Sequence, residues 1–213
     1  MTGQGIKSFD EPQFNRREIL RYAQCGGCTD QTMLNMMEEC ISECMKFASF
    51  SYRVSYCHLP IISLDRETGE IDFDLLKVKS RDLAGNLDGC AEAILFAATI
   101  GPGIDRLIKK YSGRAPVKAL FMQAIGAERA ESLCEMFCSS FTGKLRPRFS
   151  PGFGDLALSI QPDVLRIVNA SKNLSITLDD GFLMSPSKSV TAFAGRGDRV
   201  AVGPWLHRPP HPT

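Results

Sequence analysis

The stretch Leu145-Arg146-Pro147-Arg148-Phe149-Ser150-Pro151-Gly152-Phe153-Gly154-Asp155 has the residue types and spacing best suited to holding a small ligand. Arg148 offers a planar fork of five donors, which fits a carboxylate through two parallel hydrogen bonds. The Ser150-Pro151-Gly152 turn just after it brings backbone close to whatever Arg148 holds. Read alone, the same residues equally describe a surface loop with a solvated arginine, because short motifs arise by chance. Cys25-Gly26-Gly27-Cys28 is a CxxC, a redox pair or half of a metal site. No second CxxC or nearby histidine pair completes four ligands, so no metal site is expected. Thr99-Ile100-Gly101-Pro102-Gly103 is a strand-to-helix turn able to receive an anion. It matches neither a P-loop nor a dinucleotide fingerprint and reads as a tight connection. The three histidines form no nucleophile–base pair; His58, beside Pro60, reads as structural, and no catalytic residue is assigned.

The elements that must position Arg148 follow from hydrophobic period. A short helix over Arg16–Tyr22 starts at a capping-box-like Asn15…Glu18 and is stopped by Gly26-Gly27. Thr29 or Asp30 caps a helix over Gln31–Phe47, whose methionines and cysteines read as core filler. Alternation over Phe50–Leu59 predicts a half-buried strand, with shorter strands at Ile61–Leu64 and Ile71–Phe73. Ser80 caps a brief helix through Leu83. Cys90–Ile100 reads as a buried strand and Ile104–Tyr111 as a helix. Ala115–Phe141 is the longest helical pattern, with a small-residue face that includes Ala119, Gly126, Ala127 and Ala130. Glu128 and Glu131 lie within it, and the helix leads directly to Arg148, so one of them can reach the same site. A helix over Gln161–Val168 and strands at Leu174–Leu178 and Val190–Ala194 complete a single domain, residues 1–195. Residues 196–213, rich in Pro and Arg and carrying His207 and His211, lack periodicity and are expected to be disordered or loosely docked.

Composition excludes several classes. The chain has 213 residues, net charge +1, 44% hydrophobic and 23% charged residues. That is ordinary for a globular domain with its own core. A near-neutral balance argues against nucleic-acid or membrane-surface binding, which favour a basic excess. No apolar run is long enough to span a membrane, and the first ten residues lack the apolar core of a secretory signal. Eight cysteines without an export signal point to reduced thiols and a cytoplasmic location.

Five stretches in order carry a resemblance. They are Asn15–Tyr22, Phe96–Pro102, Gln123–Glu128, Arg146–Asp155 and Met184-Ser185-Pro186-Ser187-Lys188-Ser189-Val190. Together they resemble the activation domain of cobalamin-dependent methionine synthase, and more closely the stand-alone activation subunits of some bacteria. The match spans roughly Phe14 to Gly195. The resemblance implies an α+β fold, a single C-shaped domain around a central antiparallel sheet with packed helices. It implies binding of S-adenosylmethionine and reductive remethylation of cob(II)alamin to methylcobalamin on a partner, a reductive-activation role in a methyltransferase system of methionine biosynthesis. The implied partner is a cobalamin-dependent methionine synthase lacking its own activation domain, with a flavodoxin-like electron donor.

The family's Arg-x-x-Pro-Gly-Tyr motif falls on Arg148, Pro151, Gly152 and Phe153. By this resemblance Arg148 pairs with the methionyl carboxylate, and backbone at Ser150 and Gly152 approaches the ligand. Glu128 meets the ligand's amino group or ribose. Phe153 stands where the family has tyrosine, so ring packing is kept and a hydroxyl contact is lost. The tail carries no cysteine, unlike that of stand-alone relatives. These departures leave an alternative: a non-catalytic corrinoid-protein interaction module that has lost methyl-donor binding. Because a sulfonium methyl is already activated, proximity and alignment are what such a protein supplies.

Overall fold

The computed structural model describes residues 3–197. The elements are β1 (Gln4–Ser8), α1 (Arg16–Tyr22), α2 (Gln31–Phe47), β2 (Arg53–Pro60), β3 (Ser63–Leu64), β4 (Glu70–Asp72), β5 (Lys77–Lys79), α3 (Arg81–Asn86) and β6 (Glu92–Thr99). They continue with α4 (Gly103–Ser112), α5 (Pro116–Ser139), a 3₁₀ turn (Leu158–Ile160), α6 (Gln161–Ile167), α7 (Ala170–Leu174), β7 (Thr177–Leu178), β8 (Met184–Ser185) and β9 (Ser189–Arg196). The expectation of a disordered tail lies, from position 198 on, outside the described residues. Arg196 itself ends β9 and pairs with Glu92. Among the described residues no helix is long and apolar enough to cross a membrane.

The fold is α+β, with helices packed on a central antiparallel sheet of strand order β1-β2-β6-β9. The run in β6 is apolar because both of its faces are covered. Ile94, Phe96 and Ala98 join a core with residues of α1, α2, α4 and α5. The alternate residues Ala93, Leu95 and Ala97 join a second core with α3, α6, α7 and the small β3-β4-β5 sheet. Aromatic pairs fix each layer: Phe96 against Phe137 at 4.8 Å, and Phe73 stacked on Phe193 at 5.6 Å. In the first core burial pushes the Cys40 thiol up to about 11 and the Cys44 thiol to about 12, so both act as small apolar groups.

Three local readings change. Leu174–Leu178 is not one strand. α7 ends at Leu174, Ser175 turns in the left-handed region (φ 57°), and only Thr177–Leu178 is extended. Gln4–Ser8, with its one apolar residue half exposed, is an edge strand on β2. The Asn15 side chain does accept from the Glu18 amide at 3.3 Å. The Glu18 carboxylate, however, holds Arg21, and the Asn15 amide donates to Glu128 instead.

Gly103, at the start of α4, touches the backbone at the end of α2. A Cβ there would sit 1.3 Å from the Ala48 carbonyl oxygen. Gly103→Ala is therefore expected to cost at least about 3 kcal/mol, because backbone rather than a movable side chain must yield. A urea titration reads this as a lower midpoint with unchanged slope.

Candidate functional site

Arg148 owes its position to β9. The Phe149 amide donates to the Phe193 carbonyl and the Phe193 amide donates back, each at 2.8 Å; the Arg146 amide donates to Gly195 at 2.8 Å. Residues 146–149 thus add a short extended segment to the free edge of β9. In extended chain neighbouring side chains point to opposite faces. Phe149 enters the second core, and Arg148 is turned the other way, onto α5. There its guanidinium grips Glu131 with both terminal nitrogens: Nη1 donates to Oε2 at 3.4 Å and Nη2 to Oε1. The side chains are 22% and 40% exposed, so the pair is half-sheltered and still reachable by solute. Cys134, one turn on, lines the buried side; burial pushes its thiol up to about 12, which leaves it neutral and no rival for Arg148. Tyr22, at the end of α1, lies close enough to Glu131 for that charge, after burial, to raise its phenol.

The turn beyond Arg148 is stapled from below. Gly152 (φ 83°) and Gly154 (φ 54°) occupy the left-handed region, and a Cβ on Gly154 would meet Asp82 Oδ2 at 2.4 Å. The Phe153 amide bonds the Ser150 carbonyl at 3.1 Å and the Gly152 amide bonds the Leu156 carbonyl at 2.8 Å. The Asp155 carboxylate accepts from the Ser80 hydroxyl and from the amides of Arg81 (2.8 Å) and Asp82 (3.3 Å). It therefore caps α3 from outside that helix. Pro151 is buried, while Phe153 stands edge-on to Phe149 at 5.5 Å and stays 48% exposed.

Those hydrogen bonds hold the Asp155 carboxyl below the usual carboxylate range, Ser80 contributing most. The stability it contributes is complete above its unfolded value of about 3.9 and is lost as pH falls through the lower folded value. Asp155→Ala is expected to cost about 1 kcal/mol at neutral pH. It should speed amide exchange at Gly152 and Phe153, and the gap from wild type should shrink in acid; hydrogen exchange across a pH series checks both.

The acid that meets Arg148 is Glu131, whereas the resemblance implied Glu128 beside the ligand. Glu128 is almost wholly buried, and its carboxylate is committed elsewhere. It accepts from Arg129 Nε and Nη2, each at 2.6 Å, from the Ser132 hydroxyl at 2.9 Å and from the Asn15 amide at 3.2 Å. Arg129 in turn donates to the carbonyls of Pro12 and Gln13 and lies 3.9 Å over the Phe14 ring. This pair straps the N-terminal segment to α5. The two acids are three residues apart, and only the placement of Pro12–Asn15 decides which is covered. Gly126 on the same helix carries the stem of Lys188; a Cβ there would meet that stem at 2.9 Å. Burial lowers the Lys188 ammonium, with Asp105 partly offsetting it. Among the described residues no group of three or more His, Cys, Asp or Glu could hold a metal ion.

No family model and no curated protein sequence matches the chain. Among solved structures, it is similar to the crystal structure of the MetH reactivation domain bound to AdoHcy, with a TM-score of 0.64. The superposition covers 93% of this chain and 80% of that one, at 12% identity. The fold is that of the MetH reactivation domain. A reactivation-domain fold at so low an identity fits what the packing requires: two apolar faces on β6, small residues on α5, and glycine where helices touch backbone. Of the residues expected at the site, Arg148 reaches α5 through Glu131, Phe153 packs on Phe149 beside the second core, and Glu128 lies beneath the N-terminal strap.

Proposed function

We propose that this chain binds S-adenosylmethionine on the α5 face beside Arg148 and presents its methyl group to a corrinoid held by a partner methionine synthase, which it reactivates. The observation that carries the reading is the Arg148–Glu131 pair: a half-sheltered guanidinium and carboxylate with matched geometry. A methionyl head group bears a carboxylate and an ammonium, the same two charges. On binding, the carboxylate takes the Arg148 fork, and Glu131, released, faces the ammonium. One internal ion pair is exchanged for two to the ligand, so neither charge is left bare. The Ser150–Gly152 backbone borders the ligand, and the exposed Phe153 ring packs on it without a hydroxyl contact. The chain's own part is to bind, orient and exclude water; the corrinoid, when brought by the partner, supplies the nucleophile for the methyl group. An electron donor of the flavodoxin kind belongs to the same reading.

A second reading is favoured by the same pair: Arg148 already has an acid partner, so the chain could be a corrinoid-protein interaction module with no methyl donor. Isothermal titration with S-adenosylmethionine and S-adenosylhomocysteine separates the two. Saturable binding of both, weakened by Glu131→Gln, supports the first. No heat at millimolar ligand, with a corrinoid protein still captured, selects the second. Phe153→Tyr is expected to tighten binding several-fold by adding a hydrogen bond of about 1 kcal/mol, read in the same titration.

A further inference from the structure

The CxxC plays no part in the proposed site, yet its geometry is specific. The Cys28 amide donates to the Cys25 carbonyl at 3.0 Å, which closes a four-residue turn directly behind α1. Gly27 has φ 77°, the value a type II turn needs at its third residue, and an added Cβ at Gly26 or Gly27 would meet nothing within 4 Å. Such a turn brings its first and last Cα atoms within about 7 Å, which overlaps the span that disulfides bridge. Two adjoining glycines leave the turn backbone free to adjust as the small ring closes. The Cys25 thiol donates to the Ala23 carbonyl at 3.3 Å at the margin of the first core, and both thiols are half-buried.

The other cysteines differ. Cys40, Cys44, Cys57 and Cys134 are buried and their thiols are raised by desolvation. Cys138 is half-buried and raised for the same first reason. Cys90 lies against Gly195 with no other cysteine in its turn. Only the Cys25–Cys28 pair combines proximity, access and room to close.

We propose that Cys25 and Cys28 are a reversible dithiol–disulfide site that exchanges with low-molecular-weight disulfides. One thiolate attacks a sulfur of glutathione disulfide, forming a mixed disulfide and releasing one glutathione thiolate. The second thiolate attacks the protein-side sulfur of that bond and releases the second glutathione. The protein loses two electrons and two protons as its S–S bond forms, and glutathione disulfide is reduced to two glutathione molecules.

The test is differential alkylation and peptide mapping of the full chain across a series of glutathione redox ratios. Under oxidising ratios the peptide holding Cys25 and Cys28 is expected to lose both alkyl labels, carry an internal disulfide and recover both labels after dithiothreitol. Cys40, Cys44, Cys57 and Cys134 should take label only after denaturation. In Cys25→Ser and Cys28→Ser, which keep a small polar side chain in the turn, the remaining thiol should accumulate a glutathione adduct. The proposal is overturned if wild-type Cys25 and Cys28 stay fully labelled at every ratio, if oxidation stops at glutathione adducts, or if either pairs with a different cysteine. None of these outcomes depends on whether the protein binds S-adenosylmethionine.

Discussion

Arg148→Ala is expected to weaken S-adenosylmethionine binding about 30- to 150-fold in isothermal titration while leaving the protein folded. The size follows from two charge-assisted hydrogen bonds to a carboxylate, together worth ~2–3 kcal/mol once water has been displaced. The fold survives because the pair is not deeply buried: Glu131, left alone, is 40% exposed and is resolvated. The backbone bonds that dock residues 146–149 on β9 do not involve the guanidinium. Arg148→Lys should recover little, since an ammonium offers no parallel fork. Unchanged affinity in Arg148→Ala would remove the proposed site, because no other part of the reading accounts for carboxylate recognition.

The second large effect lies one turn of α5 away and is one of stability. Arg129→Ala or Glu128→Ala should lower unfolding free energy by about 3–5 kcal/mol, since either change strands a buried charge. Arg129 is fully buried and holds two carbonyls of the N-terminal segment as well as its acid. Its loss should free residues 9–15 to exchange their amides and to be nicked by protease. Under conditions where the Glu128→Ala protein remains folded, its affinity for S-adenosylmethionine should match wild type. A large loss of affinity there would return Glu128 to the ligand site and displace Glu131 from it.

Much of this architecture is readable from period alone. The two long helices are amphipathic or lined with small residues, and β6 is apolar at both parities, which only a strand covered on both faces permits. The turn after Arg148 was legible by residue type, since Ser150-Pro151-Gly152 marks the place where Gly152 takes φ 83°. Three things were hidden. β1 carries a single apolar residue, half exposed, so its pattern gives no strand signal. α7 lies between Asn169 and Ser175, both in the left-handed region, which Asn tolerates but does not require and Ser rarely adopts. The choice between Glu128 and Glu131 depends on a segment more than a hundred residues away. Sequence spacing on one helix cannot carry that information.

The docking of residues 146–149 on β9 also sets a schedule for folding. β9 pairs with β6 across a separation of 104 residues at Arg196–Glu92, and closing so long a loop is slow compared with forming α5. During synthesis the Arg148 segment emerges with its helix complete but without the strand edge it needs. It must wait for residues 189–196 before Phe149 can enter its core and Arg148 can turn outward. Until then the backbone edge of β6 is unpaired on that side, the period in which a nascent chain is most exposed to association with others and to chaperones. The proposed ligand site is thus among the last parts of the fold to form, and a truncation before residue 189 would remove the strand edge on which Arg148 is placed.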